Sequence, residues 1–194
     1  DGFNEVQTIV TVDLIDQNDN APVVDSDVAV SLNENSANGT VVSDISASDK
    51  DDNNLKYSIT SGNELGAFTI DKMTGLIIVT DWSKLDFEKV QQFVLLVTVS
   101  DGRNESQTII TIDLENLNDN SPVLNSNASV TLNENSVIGT TVYALSTSDA
   151  DGNSLLYSIA SGNEPGAFTI DNATGIISVV SSYPLDYEIN STFV

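Results

Sequence analysis

The chain of 194 residues contains neither cysteine nor histidine. The first absence excludes a disulfide framework and any thiolate metal site. The second removes the commonest general base and the usual zinc ligand together. Basic residues are scarce: six Lys and Arg stand against 29 Asp and Glu, for a formal charge of −23. Such a field repels nucleic acid and anionic lipid surfaces and attracts cations. Aromatics make up 6% of the chain, with Trp82 the sole tryptophan, too few for a surface built on stacked rings. No apolar run approaches the ~20 residues a membrane-crossing helix needs, and the first residues do not read as a signal peptide. The chain opens inside a strand-like run, so it reads as a piece of a longer or processed polypeptide, with any anchor or export signal outside it.

What is present is a repeat. Shifting the chain by 100 residues superposes Leu32–Ser36 on Leu132–Ser136, Tyr57–Ile59 on Tyr157–Ile159, and Gly66–Asp71 on Gly166–Asp171, with about half of all paired positions identical and no gap. That period is too long for a solenoid unit and fits an array of domains with separate cores. Within one copy, apolar residues alternate with polar ones at Val28, Val30 and Leu32, at Leu55, Tyr57 and Ile59, at Phe93, Leu95, Val97 and Val99, and at Ile110, Ile112 and Leu114. Period two over short runs bounded by Gly, Asn, Asp and Ser marks strands with one buried face. About seven strands in about 100 residues predict an all-β fold of tandem seven-stranded Greek-key β-sandwiches of immunoglobulin-like type. Thr74-Gly75 and Thr174-Gly175 fall between strand runs and read as hairpin turns.

The repeat divides the chain into 1–22, the last strand and linker of a preceding unit; 23–122, a complete unit; and 123–194, a unit lacking its last strands. An open sheet edge is a ladder that another chain can fill. Exchange of the amino-terminal strand between copies, giving a homo-oligomer or fibre, is therefore one expectation, and an excerpt from a longer array is the other.

The oxygen donors concentrate at the seams between units. Asn18-Asp19-Asn20 and Asn118-Asp119-Asn120 each precede a proline two residues on. Carboxylate and amide oxygens on a short, proline-stopped linker suit a hard cation such as calcium, which takes about six to eight oxygens. Five further motifs accompany them in order: Glu34 and Glu134 in Asn-Glu-Asn segments, Leu85-Asp86-Phe87-Glu88 and Leu185-Asp186-Tyr187-Glu188, Asp49 and Asp51 matched by Asp149 and Asp151, Asp101 in a Ser-Asp-Gly turn, and Asp16 at the head of the first linker. Together they resemble the cadherin repeat over the whole length of the chain.

The resemblance implies up to three calcium ions at each junction between repeats. For the second junction it implies ligands at Glu34, Asp86 and Glu88 from the upper unit, Asn116, Asn118, Asp119 and the Asn120 carbonyl from the linker, and Asp149, Asp151 and the Asn153 carbonyl from the lower unit. Six of these are carboxylates, whose charge three divalent ions would neutralise. For the first junction it implies Asp16, Asn18, Asp19, Asn20, Asp49, Asp51 and Asp101, with the upper unit's glutamates outside the chain. The second linker departs from the pattern: Asn116 stands where the first has Asp16, and Glu115 precedes it. An amide oxygen coordinates without adding charge, so one ion there is expected to bind more weakly, or Glu115 to substitute.

The implied function is a calcium-rigidified structural and adhesive module outside the cell or at its surface, a spacer in a rod or a subunit of a fibre. Its partners would be other repeats of the array or another cell-surface protein. The near-identical repeats, absent cysteine and scarce lysine lean toward a prokaryotic surface adhesin. An enzyme is disfavoured, because Asp86 and Glu88, two residues apart on one extended segment, project the same way and not across a cleft. A carbohydrate-binding β-sandwich attaching to surface polysaccharide is the alternative, resting on Trp82. Five Asn-x-Ser/Thr triplets, at Asn38, Asn104, Asn127, Asn172 and Asn190, are no more than chance provides.

Overall fold

The computed structural model describes all residues except 1, 3, 4, 52, 53, 126 and 165; the first three belong to the segment read above as a preceding unit's last strand. The chain forms two compact units, residues 1–116 and 117–194. Among the described residues there is no α-helix and no helix long and apolar enough to cross a membrane.

Unit 1 is a two-sheet sandwich. One sheet orders β2 (Val28–Asn33), β9 (Glu105–Glu115), β8 (Gln92–Ser100) and β5 (Lys56–Ser61); the other orders β3 (Val41–Asp44), β7 (Leu76–Val79) and β6 (Phe68–Ile70). These are the seven strands expected from the alternation. A short ladder of β1 (Val23–Val24) on β4 (Ala47–Ser48) forms a separate two-stranded sheet at the start of the unit. The inward residues of each strand meet in one core: Phe93, Leu95, Val97 and Val99 from β8, Ile110, Ile112 and Leu114 from β9, Ile77 and Val79 from β7, with Tyr57, Phe68 and Leu85. Phe68 and Phe93 pack edge to face with centroids 5.1 Å apart, the arrangement favoured by the ring quadrupoles.

The pairing of β2 with β9 is parallel, in register from Val28 with Ile110 to Asn33 with Glu115. Since both strands run to the same end of the sandwich, Glu34 arrives beside the point where the chain leaves the unit, its N–H donating to Glu115 O at 3.1 Å. Asn35 then takes φ +56°, a left-handed conformation that asparagine tolerates better than most residues, and its N–H reaches Leu85 O at 3.0 Å. The strand end and the loop before β8 are thereby brought together, which accounts for the Asn-Glu-Asn signature. A three-residue 3₁₀ turn, Trp82–Lys84, leads into that loop and is capped by Asp81, whose carboxylate accepts from the Ser83 N–H.

Gly62 shows how tightly β5 approaches β8. Its φ is +84°, and a Cβ there would lie 1.8 Å from Val94 O, at the bulge between Ile59 and Ser61.

Unit 2 keeps one sheet, β11 (Thr141–Ala144), β14 (Ile176–Val179) and β13 (Phe168–Ile170), and the short ladder of β10 (Val123–Leu124) on β12 (Thr147–Ser148). Among the described residues no strand covers 128–133 or 156–161, the counterparts of β2 and β5. Their ladder partners in unit 1 are β9 and β8, whose counterparts by the 100-residue offset lie mostly past residue 194. The same holds for residues 5–15, which repeat the β9 pattern but form no strand, leaving Val6, Ile9 and Leu14 more than 90% exposed. A period-two pattern becomes a strand only where a second strand accepts its hydrogen bonds. The core of unit 2 is correspondingly small, with Ala167, Val179 and Leu185 buried and Phe168 packed edge to face on Phe193.

Candidate functional site: acidic ends of the two units

At the exit end of unit 1, Glu34 and Glu88 offer carboxylate oxygens within 4.8 Å of one another. Glu34 is 1% exposed, and its Oε2 accepts the Phe87 N–H at 2.8 Å. A buried carboxylate requires hydrogen-bond donors or a cation near it. Asp86 is turned elsewhere: its Oδ2 accepts from Lys89 Nζ in an ion pair, which raises the lysine pKa through that hydrogen bond and the attraction of the charges.

Unit 2 builds the same end without the lysine, Ile189 standing in its place. Here Glu134, Asp186 and Glu188 all bring oxygens within 4.8 Å of one another, and Glu134 Oε2 accepts the Tyr187 N–H at 3.0 Å. The sequence singles out the motifs of this triad without marking it as a candidate site. The 100-residue offset maps Glu34, Asp86 and Glu88 directly onto it, a signal that was available. Glu134 is exposed where Glu34 is buried, because the strand segment before it lacks the ladder that seats β2.

At the opposite end of unit 1 the linker is folded onto the sandwich. Asp51 receives the Asn20 N–H at 2.8 Å and the Asp19 N–H at 3.0 Å on Oδ2, and Asn20 Nδ2 at 2.8 Å on Oδ1. Those donors, the Asn20 N–H foremost, hold the Asp51 pKa below the usual carboxylate range, against the opposing effects of burial and of Asp101. Asp101 is likewise lowered, chiefly by the Asn104 N–H on its Oδ1 at 2.6 Å. Asp49 accepts the Asp51 N–H on Oδ1 at 2.8 Å, while its Oδ2 is buried with no hydrogen-bond partner among the described residues. Asn18, Asn20, Asp49, Asp51 and Asp101 are thus gathered at one end. Asp16 is exposed, and its backbone carbonyl accepts from Gln17 Nε2 at 2.9 Å.

Unit 2 reproduces the arrangement. Asp151 takes the Asn120 N–H at 2.9 Å on Oδ2 and Asn120 Nδ2 at 2.7 Å on Oδ1, and Asn120 Nδ2 also reaches Asp119 Oδ1 at 2.8 Å. Asn118, Asp149 and Asn153 line one pocket of about 390 Å³ with Pro122, Thr147 and Tyr157, and the Asn153 N–H donates to Asp149 Oδ1 at 3.3 Å. Asn116 closes unit 1 directly after β9. The donors at every end are oxygens, and the orphaned buried Asp49 Oδ2 asks for a positive partner, so the residues fit a hard cation.

Trp82, the residue behind the carbohydrate alternative, is 51% exposed on the 3₁₀ turn, its backbone N–H donating to Asn38 Oδ1 at 2.8 Å. The aromatic pairs described above lie in the two cores and form no exposed platform.

A family model described as the cadherin domain matches residues 28–115 and 128–194. Protocadherin Fat 1 of Homo sapiens is 33% identical over 181 residues, covering 88% of this chain and 4% of that protein. Cadherin EGF LAG seven-pass G-type receptor 2 of Mus musculus is 36% identical over 183 residues, covering 92% of this chain and 6% of that protein. The chain therefore spans only a small fraction of the length of these relatives. Among solved structures, mouse Cadherin-23 EC22-24 matches with a TM-score of 0.76 at 29% identity, covering 85% of this chain and 55% of that one. The human Desmocollin-1 ectodomain matches with a TM-score of 0.72 at 30% identity, covering 92% and 37%.

Proposed function

Because the chain belongs to the cadherin family, and is accordingly an extracellular or cell-surface adhesion module, we propose that the acidic ends of its repeats bind calcium and that the bound ions stiffen the array. The observation that carries this reading is the pairing at unit 1's linker end of a buried carboxylate oxygen without a hydrogen-bond partner among the described residues, Asp49 Oδ2, with four other oxygen-bearing residues. The residues that would hold the ions are Asp16, Asn18, Asp19, Asn20, Asp49, Asp51 and Asp101 at the first linker. At the second they are Glu34, Asp86, Glu88, Asn116, Asn118, Asp119, Asn120, Asp149, Asp151 and Asn153. To them we add Glu134, Asp186 and Glu188 at the far end of unit 2. Calcium supplies charge neutralisation and a high coordination number that tolerates mixed carboxylate, amide and carbonyl donors. The repeat boundaries would then follow the linkers, as 1–22, 23–122 and 123–194.

At Asp86 the protein's own lysine already supplies a positive charge, whereas Ile189 stands at the matching position of unit 2. With Asn116 adding no charge, the second linker is expected to bind fewer than three ions, or one of them more weakly. The partners of such a module are neighbouring repeats, other cell-surface proteins, or a second copy exchanging residues 5–15. Calorimetric titration of the whole chain tests the central claim. Binding of more than one calcium ion per chain at roughly 10⁻⁴–10⁻³ M is expected, with a fall in maximum dimension or its sharpness, read by small-angle scattering, when chelator replaces calcium. No heat and no change in scattering at millimolar calcium would overturn it.

A further inference from the structure

Two side chains outside every ligand motif hold the first linker onto unit 1. Arg103 Nη1 donates to Asn18 O at 2.5 Å. Asn104 Nδ2 lies 3.2 Å from Asn18 Oδ1, 2.9 Å from Asn20 O and 3.1 Å from Asp101 Oδ2. Their own backbone N–H groups are anchored on Asp101 Oδ1, at 2.7 and 2.6 Å. Ser106 Oγ completes the row by donating to Pro22 O at 2.5 Å.

If Asn104 served only to close the Asp101 turn, its bonds would stay within that turn. One does, to Asp101 Oδ2, but two reach across 84 and 86 positions of sequence, and that of Arg103 across 85. An amide nitrogen carries two hydrogens, so Nδ2 serves two of its three oxygens at a time and keeps all three close. A carbonyl or carboxylate oxygen that accepts one hydrogen bond keeps a second lone pair. The clamp therefore gathers the oxygens of Asn18, Asn20 and Asp101 without using them up. Arg103 also places one of the chain's six basic residues against the linker, where it offsets the surrounding carboxylates.

We propose that Arg103 and Asn104 are positioning residues that dock the linker 18–22 onto the following repeat in the absence of metal, leaving the lower half of the cation site already assembled. The second part rests on the calcium reading above; the first does not. A site formed in only a fraction f of molecules binds with its apparent dissociation constant raised by 1/f. A clamp loss that leaves about one molecule in ten docked therefore weakens calcium about tenfold.

The test uses the whole chain and two variants, Asn104→Ala and Arg103→Met, with amide exchange followed by NMR in chelator and calcium then titrated in. The Asn20 amide, bonded to Asp51, is the reporter, and the β8 amide of Val97 is the internal standard for folding. The expected result is Asn20 exchange about tenfold faster in Asn104→Ala and measurably faster in Arg103→Met, with Val97 unchanged, and apparent calcium affinity lowered in the same order. Unchanged Asn20 exchange in both variants would overturn the docking role. Faster exchange with unaltered calcium affinity would overturn the preorganisation. Absence of calcium binding by the wild-type chain would defeat the calcium reading while the chelator data still decide the clamp. If Asn104→Ala loses Val97 protection as well, Arg103→Met alone decides.

Discussion

Glu34 carries a full carboxylate at 1% exposure with Glu88 beside it. Glu34→Gln keeps an acceptor for the Phe87 N–H and removes one of two like charges. In chelator the variant should be at least as stable as the wild type, and in millimolar calcium less stable by at least about 1 kcal/mol, the bulk-water value for unit charges about 4 Å apart. Urea denaturation under both conditions reads the sign. Asp71 and Asp171 offer a test free of any cation. Their turns satisfy the carboxylate from within: the Met73 and Thr74 N–H groups donate to Asp71, and the Thr174 hydroxyl with the Thr174 and Ala173 N–H groups to Asp171. Both pKa values are lowered, for Asp71 first by the Met73 N–H and for Asp171 first by the Thr174 hydroxyl. A folded value below the unfolded 3.8 means the folded state binds fewer protons. The turns therefore contribute fully above about pH 4 and lose that contribution as pH falls through the lowered values. Asp71→Asn should flatten the acid limb of the melting curve below pH 4 and leave its shape between pH 5 and 8 unchanged.

Among the elements, the parallel β2–β9 pair has the largest consequence. It delivers Glu34 to the end of the unit where β9 becomes the linker, which an antiparallel hairpin partner would not do. The β5–β8 edge is where that sheet is least forgiving. Gly62→Ala would place Cβ 1.8 Å from a backbone oxygen at φ +84°, so both strain and overlap oppose it. A loss of at least about 1 kcal/mol is expected, seen as a lower denaturant midpoint for unit 1. Gly39→Ala, at φ +89° but with open space around it, should lose less because only the backbone term applies.

Over the whole molecule, 29 acidic residues against six basic ones make cations the natural ligands. The basic residues are unevenly spread: none occurs after Arg103, so the second repeat has no internal cation of the kind Lys89 supplies to Asp86. Ligand that binds only the folded state adds RT ln(1 + [L]/Kd), about 1.4 kcal/mol per site at tenfold excess over Kd. Scanning calorimetry should therefore show a calcium-dependent rise in melting temperature of a few degrees. Magnesium, which dehydrates reluctantly and demands six near-octahedral ligands, should raise it less.

The period-two alternation, the 100-residue repeat and the ordered acidic motifs are local properties of the chain, and from them the β-sandwich class and the family could be read. Contacts between residues far apart in sequence could not. That Glu34 is buried while Glu134 is exposed, and that Arg103 and Asn104 reach back to Asn18 and Asn20, depend on which strands pair and where loops close. The pattern of residues 5–15 matches β9, yet only β9 is a strand, since a strand is completed by its neighbours. Sequence alone determined which side chains carry oxygen and in what order; tertiary structure decided which of those oxygens are gathered, buried or already occupied, because hydrogen-bond and charge partners are set by proximity in space.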